Sequence, residues 1–153
     1  GPDGTRDVPV YEIPTGPGKT SLTRGEFITS IFLPARPDNA SDAYLRFIPR
    51  TEMDIAVSSA AVSLVMNENG ICTDAQVSVG AVAPTVRLVD DASAALIGTS
   101  LDTDAITKLV AAVEAACSPI DDKRGTIEFR IKTAGVLAKR AAKIAYARAG
   151  GTS

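Results

Sequence analysis

Asn67-Glu-Asn-Gly70 stands between two apolar runs of similar length, and this arrangement limits the possible folds more than any other stretch. Asn and Gly both tolerate positive φ, so the pair closes a tight antiparallel hairpin whose twist matches that of its strands. Before it, Val57 to Met66 is small, β-branched and apolar, with Val57, Val62, Leu64 and Val65 as its bulkier members. After it, Ile71 to Val82 alternates Ala75, Val77, Val79 and Ala81 with Asp74, Gln76, Ser78 and Gly80. A period of two puts one face of the hairpin in a core and leaves the other partly wet.

On either side of the hairpin the pattern changes. Tyr44, Leu45, Phe47 and Ile48 predict a short strand that Pro49 ends. After Pro84 the period becomes about 3.6. Val86 to Ile97 reads as a helix with Val89, Ala92, Leu96 and Ile97 inward and Gly98 as its stop. Asp102 or Thr103 can cap a second helix, where Ile106, Leu109, Val110, Val113 and Cys117 share one face. Thr126 to Ala149 reads as a third, with Val136, Leu137, Ile144 and Ala145 inward. Its Lys139, Arg140, Lys143 and Arg148 form a solvated face and gather toward the C-terminal end, where the helix dipole favours cations. The expected architecture is α+β: a three-stranded antiparallel sheet covered on one face by three helices, preceded by a short strand-and-turn lead-in. Small residues at Ala56, Ser58, Ser59, Ala60 and Ala61 would let a partner approach the other face.

The lead-in is punctuated by Gly and Pro, with Val8 to Ile13 as a short extended piece and Glu26 to Leu33 as a strand closed by Pro34. Ala35 to Asp42 is a polar linker, so the domain reading is 1-35 and 42-149. Gly18-Lys-Thr20 resembles the end of a phosphate-binding loop, but Ile13 stands where that pattern needs Gly, and Pro17 removes a backbone donor. A surface turn is the better reading. Asn39-Ala-Ser41 matches a glycosylation sequon by chance, since no secretory signal accompanies it.

A net charge of −2 gives no footprint for nucleic acid or an anionic membrane. No apolar run approaches the ~20 residues of a membrane span. A cytoplasmic protein is expected, and a chain beginning at Gly1 reads as processed or as cut from something longer. There is no His, which removes the usual general base and a Ser-His-Asp triad. Cys72 and Cys117 form no CxxC pair, so neither a zinc site nor an iron–sulfur cluster is expected. Neither a catalytic residue nor a metal ligand is assigned.

Five blocks occur in an order that carries a resemblance: Thr15-Gly-Pro-Gly-Lys-Thr20, Arg24 to Pro34, Tyr44-Leu-Arg-Phe-Ile-Pro-Arg-Thr-Glu-Met-Asp-Ile-Ala56, Val79-Gly-Ala-Val-Ala-Pro-Thr-Val-Arg87 and Asp121-Asp-Lys-Arg-Gly-Thr-Ile-Glu-Phe-Arg130. Together they resemble the C-terminal part of the FAD-binding medium subunit of molybdenum hydroxylases, the carbon monoxide dehydrogenase and xanthine dehydrogenase group. The resemblance implies a component that passes electrons from the 2Fe-2S clusters of a small subunit through FAD to an external acceptor. A large subunit would carry the molybdopterin cofactor. It also implies that residues 1 to about 35 are the tail of an FAD-binding domain, and that the Gly-rich pyrophosphate loops lie outside this sequence. The chain alone would then hold FAD poorly or not at all. Arg46 matches the place of a flavin-near Lys, and Ile28 lies on a strand where an apolar residue contacts the cofactor. The loop from Phe47 to Ile55 matches one that lines a flavin face, which makes Met53, Asp54 and Ile55 candidates to gate the acceptor. Glu52 and Asp54 read as a loop-solvation pair. The competing expectation is a purely structural subunit-docking domain without cofactor contact.

Overall fold

A computed structural model describes residues 1–51 and 54–150 of the 153-residue chain. Two compact units result, Gly1–Ala35 and Arg36–Ser153. The first contains a single-turn 3-10 helix, Val10–Glu12, and a small antiparallel hairpin of β1, Pro14–Gly16, and β2, Lys19–Thr20. Gly18 turns that hairpin at φ 67. The Gly18-Lys-Thr20 stretch therefore serves as a turn and edge, and no helix follows it to complete a phosphate loop. Arg6 donates from Nε to Glu26 Oε1 at 2.7 Å and from Nη2 to Glu26 Oε2 at 3.0 Å. Together with the Thr23 N–H, this guanidinium lowers the Glu26 carboxyl from 4.5 to about 2.

Glu26 to Leu33 is not a strand. Among the described residues no strand pairs with it, its first N–H, that of Glu26, turning back to Thr23 O at 3.0 Å, and Phe27, Ile31, Phe32 and Leu33 stand exposed. β-rich composition makes a strand only where a neighbour completes the ladder. Val8 to Ile13 likewise tightens into the 3-10 turn instead of staying extended.

The second unit is built on four antiparallel strands in the order β3-β4-β5-β6: Ala40–Phe47, Ser58–Met66, Cys72–Gly80 and Arg87–Leu88. The Asn67-Gly70 hairpin forms as expected. Gly70 takes φ 70, and the Asn67 side chain accepts from the N–H groups of Asn69 and Ile71. The fourth strand replaces the start of the predicted first helix. Leu88 pairs with Ser78 and Arg87 with Val79, so the helix, α1, is only Asp90–Ala94. An open sheet edge offered these residues ladder hydrogen bonds, and that outweighed a short helical periodicity. β5 also stops at Gly80: Ala81 turns out with φ 62 and is exposed, leaving Val82 as the buried residue.

α2, Thr103–Ala116, is capped by Asp102, whose carboxylate accepts from Ala105 N. α3, Ile127–Arg148, is capped by Thr126. The register aligns Ala43, Val62 and Val77 in one row, and α3 packs over β3 and β4 on that face. Its inner side is Ala134, Leu137, Ala138, Ala141, Ala142 and Ala145, small enough for the helix to lie close to Ala43 and Ala60. Val136 points outward at 45% exposed, as does Ile97. The small residues of β4 divide between faces: Ser58 and Ala60 lie under the helices, and only Ser59 and Ala61 face the open side.

Ser58 is fully buried, and its hydroxyl has no partner among the described residues. A buried unpaired hydroxyl costs stability, so Ser58→Ala should leave urea stability unchanged or raise it by about 1 kcal/mol. A loss of that size would reveal a bound water in its place. Because the Glu26 value falls on folding, the contribution of its pair with Arg6 is complete above the unfolded carboxyl range and disappears as pH drops toward about 2. A side-chain NMR titration of Glu26 should show its midpoint there, and an ordinary midpoint would rule out the pair.

Candidate functional site

Residues 48–51 leave the end of β3 and residues 54–57 lead into β4, and the feet of this loop are tied together, since Val57 N donates to Phe47 O at 2.9 Å. Pro49 ends the strand, and the chain must turn before the small-residue run of β4 resumes. Inside the loop, Asp54 acts as a staple. Its Oδ2 accepts from Arg50 N and its Oδ1 from Ile55 N, both at 2.8 Å. Its side chain is only 3% exposed, and Arg50 Nε stands 3.6 Å away. Burial opposes ionisation of this carboxyl, but the two N–H donors and the Arg50 guanidinium outweigh it and hold Asp54 below the usual range. Asp54 thus faces into the loop, and its neighbour Ile55 stands out at 64% exposed. Met53 and Glu52 lie outside the described residues.

Arg46 is exposed on the face of the sheet opposite α3, in a row with Ser59 and Gly80. The adjoining row is Tyr44, Ala61, Ser78 and Leu88. A Cβ on Gly80 would lie 2.8 Å from Ser59 Oγ, so position 80 has no room for a side chain against the buried Ser59. Ile28 belongs to the 1–35 unit and is 55% exposed in an irregular segment. Arg46, Asp54 and Ile55 therefore come from one end of one sheet, with Ile28 on a separate unit.

The sequence reading missed Arg130. It is 4% exposed, and its guanidinium donates to Val57 O at 2.9 Å, Asp122 Oδ1 at 2.6 Å and Gly125 O at 3.3 Å. Arg130 stands four residues before Ala134 and eight before Ala138 on the inward stripe of α3. A cation at that spacing was a readable sign of a buried, partnered guanidinium. That same hydrogen bond holds the Asp122 carboxyl below its usual range.

Chemically, these residues can present a fixed positive charge and an apolar tip to a flat ligand. They supply no reactive centre of their own. The Cys117 thiol is pushed up to about 11 by burial and the Cys72 thiol is raised by the same cause, so both stay protonated near neutrality. No cluster of metal-ligating side chains occurs among the described residues. One hollow, lined in part by Asn39, Asn67 and Gly70, holds ≈ 150 Å³. Another, within the 1–35 unit, holds ≈ 170 Å³. Both are below the ~300 Å³ at which ligand pockets begin.

Fold and loop together define an α+β module with a stapled loop at one end of its sheet. Residues 43–145 match the CO dehydrogenase flavoprotein C-terminal domain family, and the chain belongs to that family. It is 38% identical to the carbon monoxide dehydrogenase medium chain of Afipia carboxidovorans, over 97% of this chain and 51% of that protein. To the putative xanthine dehydrogenase FAD-binding subunit of Escherichia coli K12 it is 28% identical, over 98% and 51%. Among solved structures, reconstituted CO dehydrogenase from Oligotropha carboxidovorans aligns with a TM-score of 0.91 at 37% identity, over 97% of this chain and 51% of that one. The chain thus spans about half the length of the curated relatives it matches. No helix among the described residues is long and apolar enough to cross a membrane.

If Asp54 holds the loop, Asp54→Ala should let trypsin cut after Arg50 about tenfold faster, the factor that goes with losing a charge-assisted hydrogen bond. In the parent chain the lowered Asp54 value keeps the staple complete above the unfolded carboxyl range and releases it as pH falls through the folded value. Equal cleavage rates in the two proteins would show that the staple does not order the loop.

Proposed function

We propose that this chain is the C-terminal portion of the FAD-binding subunit of a molybdenum hydroxylase, helping electrons pass from iron–sulfur clusters through FAD to an external acceptor. The observation that carries this is the Asp54-stapled loop with Ile55 exposed beside it, on a chain that belongs to this flavoprotein family. In this reading residues 1–35 are the tail of an FAD-binding domain. The exposed Phe27, Ile31, Phe32 and Leu33 support it, because a soluble domain seldom leaves such a contiguous apolar stretch uncovered. The subunit works beside a large subunit carrying molybdopterin and a small subunit carrying 2Fe-2S clusters.

The residues present fit one edge of a flavin and not a cradle for the whole dinucleotide, because the hollows are small. FAD, when bound, supplies the electron chemistry. What this chain adds is orientation and charge. Ile55 covers ring surface and keeps water away from it. Arg46 places a permanent positive charge near an anionic ring or a phosphate, with the planar donor set that distinguishes it from Lys. Asp54 acts through the loop, since its carboxylate is turned inward. Ile28 would contact the cofactor from the 1–35 unit.

A docking domain without cofactor contact is a second reading, favoured by the small, half-buried Ala61 and Ser78 on the sheet face opposite α3. The two are separated by purifying the protein that carries this chain with its partner subunits. Flavin absorbance that changes in Arg46→Gln and Ile55→Ala supports the redox reading, and its absence from the parent complex sinks it. By itself, the 153-residue chain should purify folded and colourless. Stoichiometric FAD at micromolar affinity in a fluorescence titration would overturn the division of the site between this chain and a missing domain.

A further inference from the structure

We propose that Arg130 is a positioning residue: from the first turn of α3 it fixes the feet of the loop between β3 and β4 by holding the carbonyl of Val57. The consequence for a flavin rests on the reading given above, whereas the clamp itself does not.

Both feet of the loop touch one turn of helix. Val57, the last loop residue, gives its carbonyl to Arg130 Nη1 at 2.9 Å, across 73 positions of sequence. Phe47, at the other foot, meets the ring of Phe129 edge to face, with centroids 5.8 Å apart and planes at 73°. The two feet are themselves joined through Val57 N and Phe47 O. Thr126 caps the helix by accepting from Phe129 N at 3.2 Å, which places this turn relative to the strand ends.

Stability alone is a poor account of such a residue. A cation in the first turn of a helix opposes the helix dipole, and a buried ion pair can often be replaced by an apolar side chain without loss. No apolar side chain could hold a carbonyl at the foot of a loop. The guanidinium is in turn oriented by the turn Asp122–Gly125, which closes on itself through a backbone bridge. Asp122 Oδ1 takes Arg130 Nη2 at 2.6 Å and also the N–H of Arg124 at 2.8 Å. Gly125 leaves no room for slack: a Cβ there would lie 3.0 Å from the Phe129 ring and 3.5 Å from Val57 Cγ1. The turn, the helix start and the loop foot thus form one packed unit.

The test uses amide exchange on the 153-residue chain in three variants: Arg130→Met, Arg130→Lys and Asp122→Asn. Loss of the bond to Val57 in Arg130→Met should speed exchange at Arg50, Ile55 and Val57 about tenfold relative to the amides of β4 and β5. Lys cannot reach three acceptors at once, so Arg130→Lys should recover only part of this protection. Should Arg130→Met not fold, Arg130→Lys and Asp122→Asn decide the same question at near-native volume. Protection lost by one common factor across loop and sheet, or a loop unchanged in all three, overturns the proposal. Visible circular dichroism of the flavin in the assembled protein then separates the two ideas. A loosened loop with an altered signal supports both, and a loosened loop with an unaltered signal keeps the clamp and removes the loop from the flavin.

Discussion

The close packing of α3 on β3 and β4 is the interaction on which the rest of this domain depends. Alanines at 134, 138, 141, 142 and 145 face a strand pair that is itself small at Ala43 and Ala60. Small side chains shorten the distance between helix and sheet, and short distance brings backbone polar groups at the edges within reach of long side chains. Two arginines take advantage of this at opposite ends of the helix. Arg130 holds Val57 O beside the loop, and Arg148 Nη1 donates to Asp42 O at 2.9 Å near the start of β3. α3 is therefore fixed along its length and not only by its apolar stripe.

That seam explains how the two feet of the loop between β3 and β4 are held. The helix turn holds them from outside, and the Asp54 carboxylate joins Arg50 and Ile55 from inside. Ile55, beside the stapling carboxylate, is the exposed apolar residue of this foot. Preorganisation of this kind is what an accessory domain can contribute when a cofactor performs the chemistry, because no reorganisation is then required at the moment of electron transfer. Beside Arg46 the next two residues of its row, Ser59 and Gly80, are buried and close-packed, with no room for a Cβ at position 80.

Much of this was legible from the residues. The Asn67-Gly70 hairpin, the strand after Ala43, the Asp102 cap and the span of α3 follow from turn chemistry, alternation and capping, all local rules. Errors gathered where a residue's state depended on neighbours far along the chain. Arg87 and Leu88 became a strand because β5 offered an edge, and Glu26 to Leu33 did not because nothing described here offers one. Val136 was assigned inward from periodicity, yet the helix rotated to bury its alanines, since close packing with Ala43 and Ala60 outweighed the larger residue's transfer energy. At the candidate site, Arg46 and Ile55 were named from the ordered motif and both stand exposed, but the inward turn of Asp54 and the contacts of Arg130 could not be read from it.

By itself the amino-acid sequence determined the α+β class, the hairpin, the helices and the absence of His chemistry, because composition, periodicity and turn residues act over a few positions. Only the tertiary structure decided which face each strand shows, that the sheet has a fourth strand, and that a guanidinium at 130 meets a carbonyl at 57. Those facts depend on register and helix rotation, where a shift of one residue exchanges the two faces of a strand. They are set by packing summed over the whole core and have no counterpart in any short stretch of sequence.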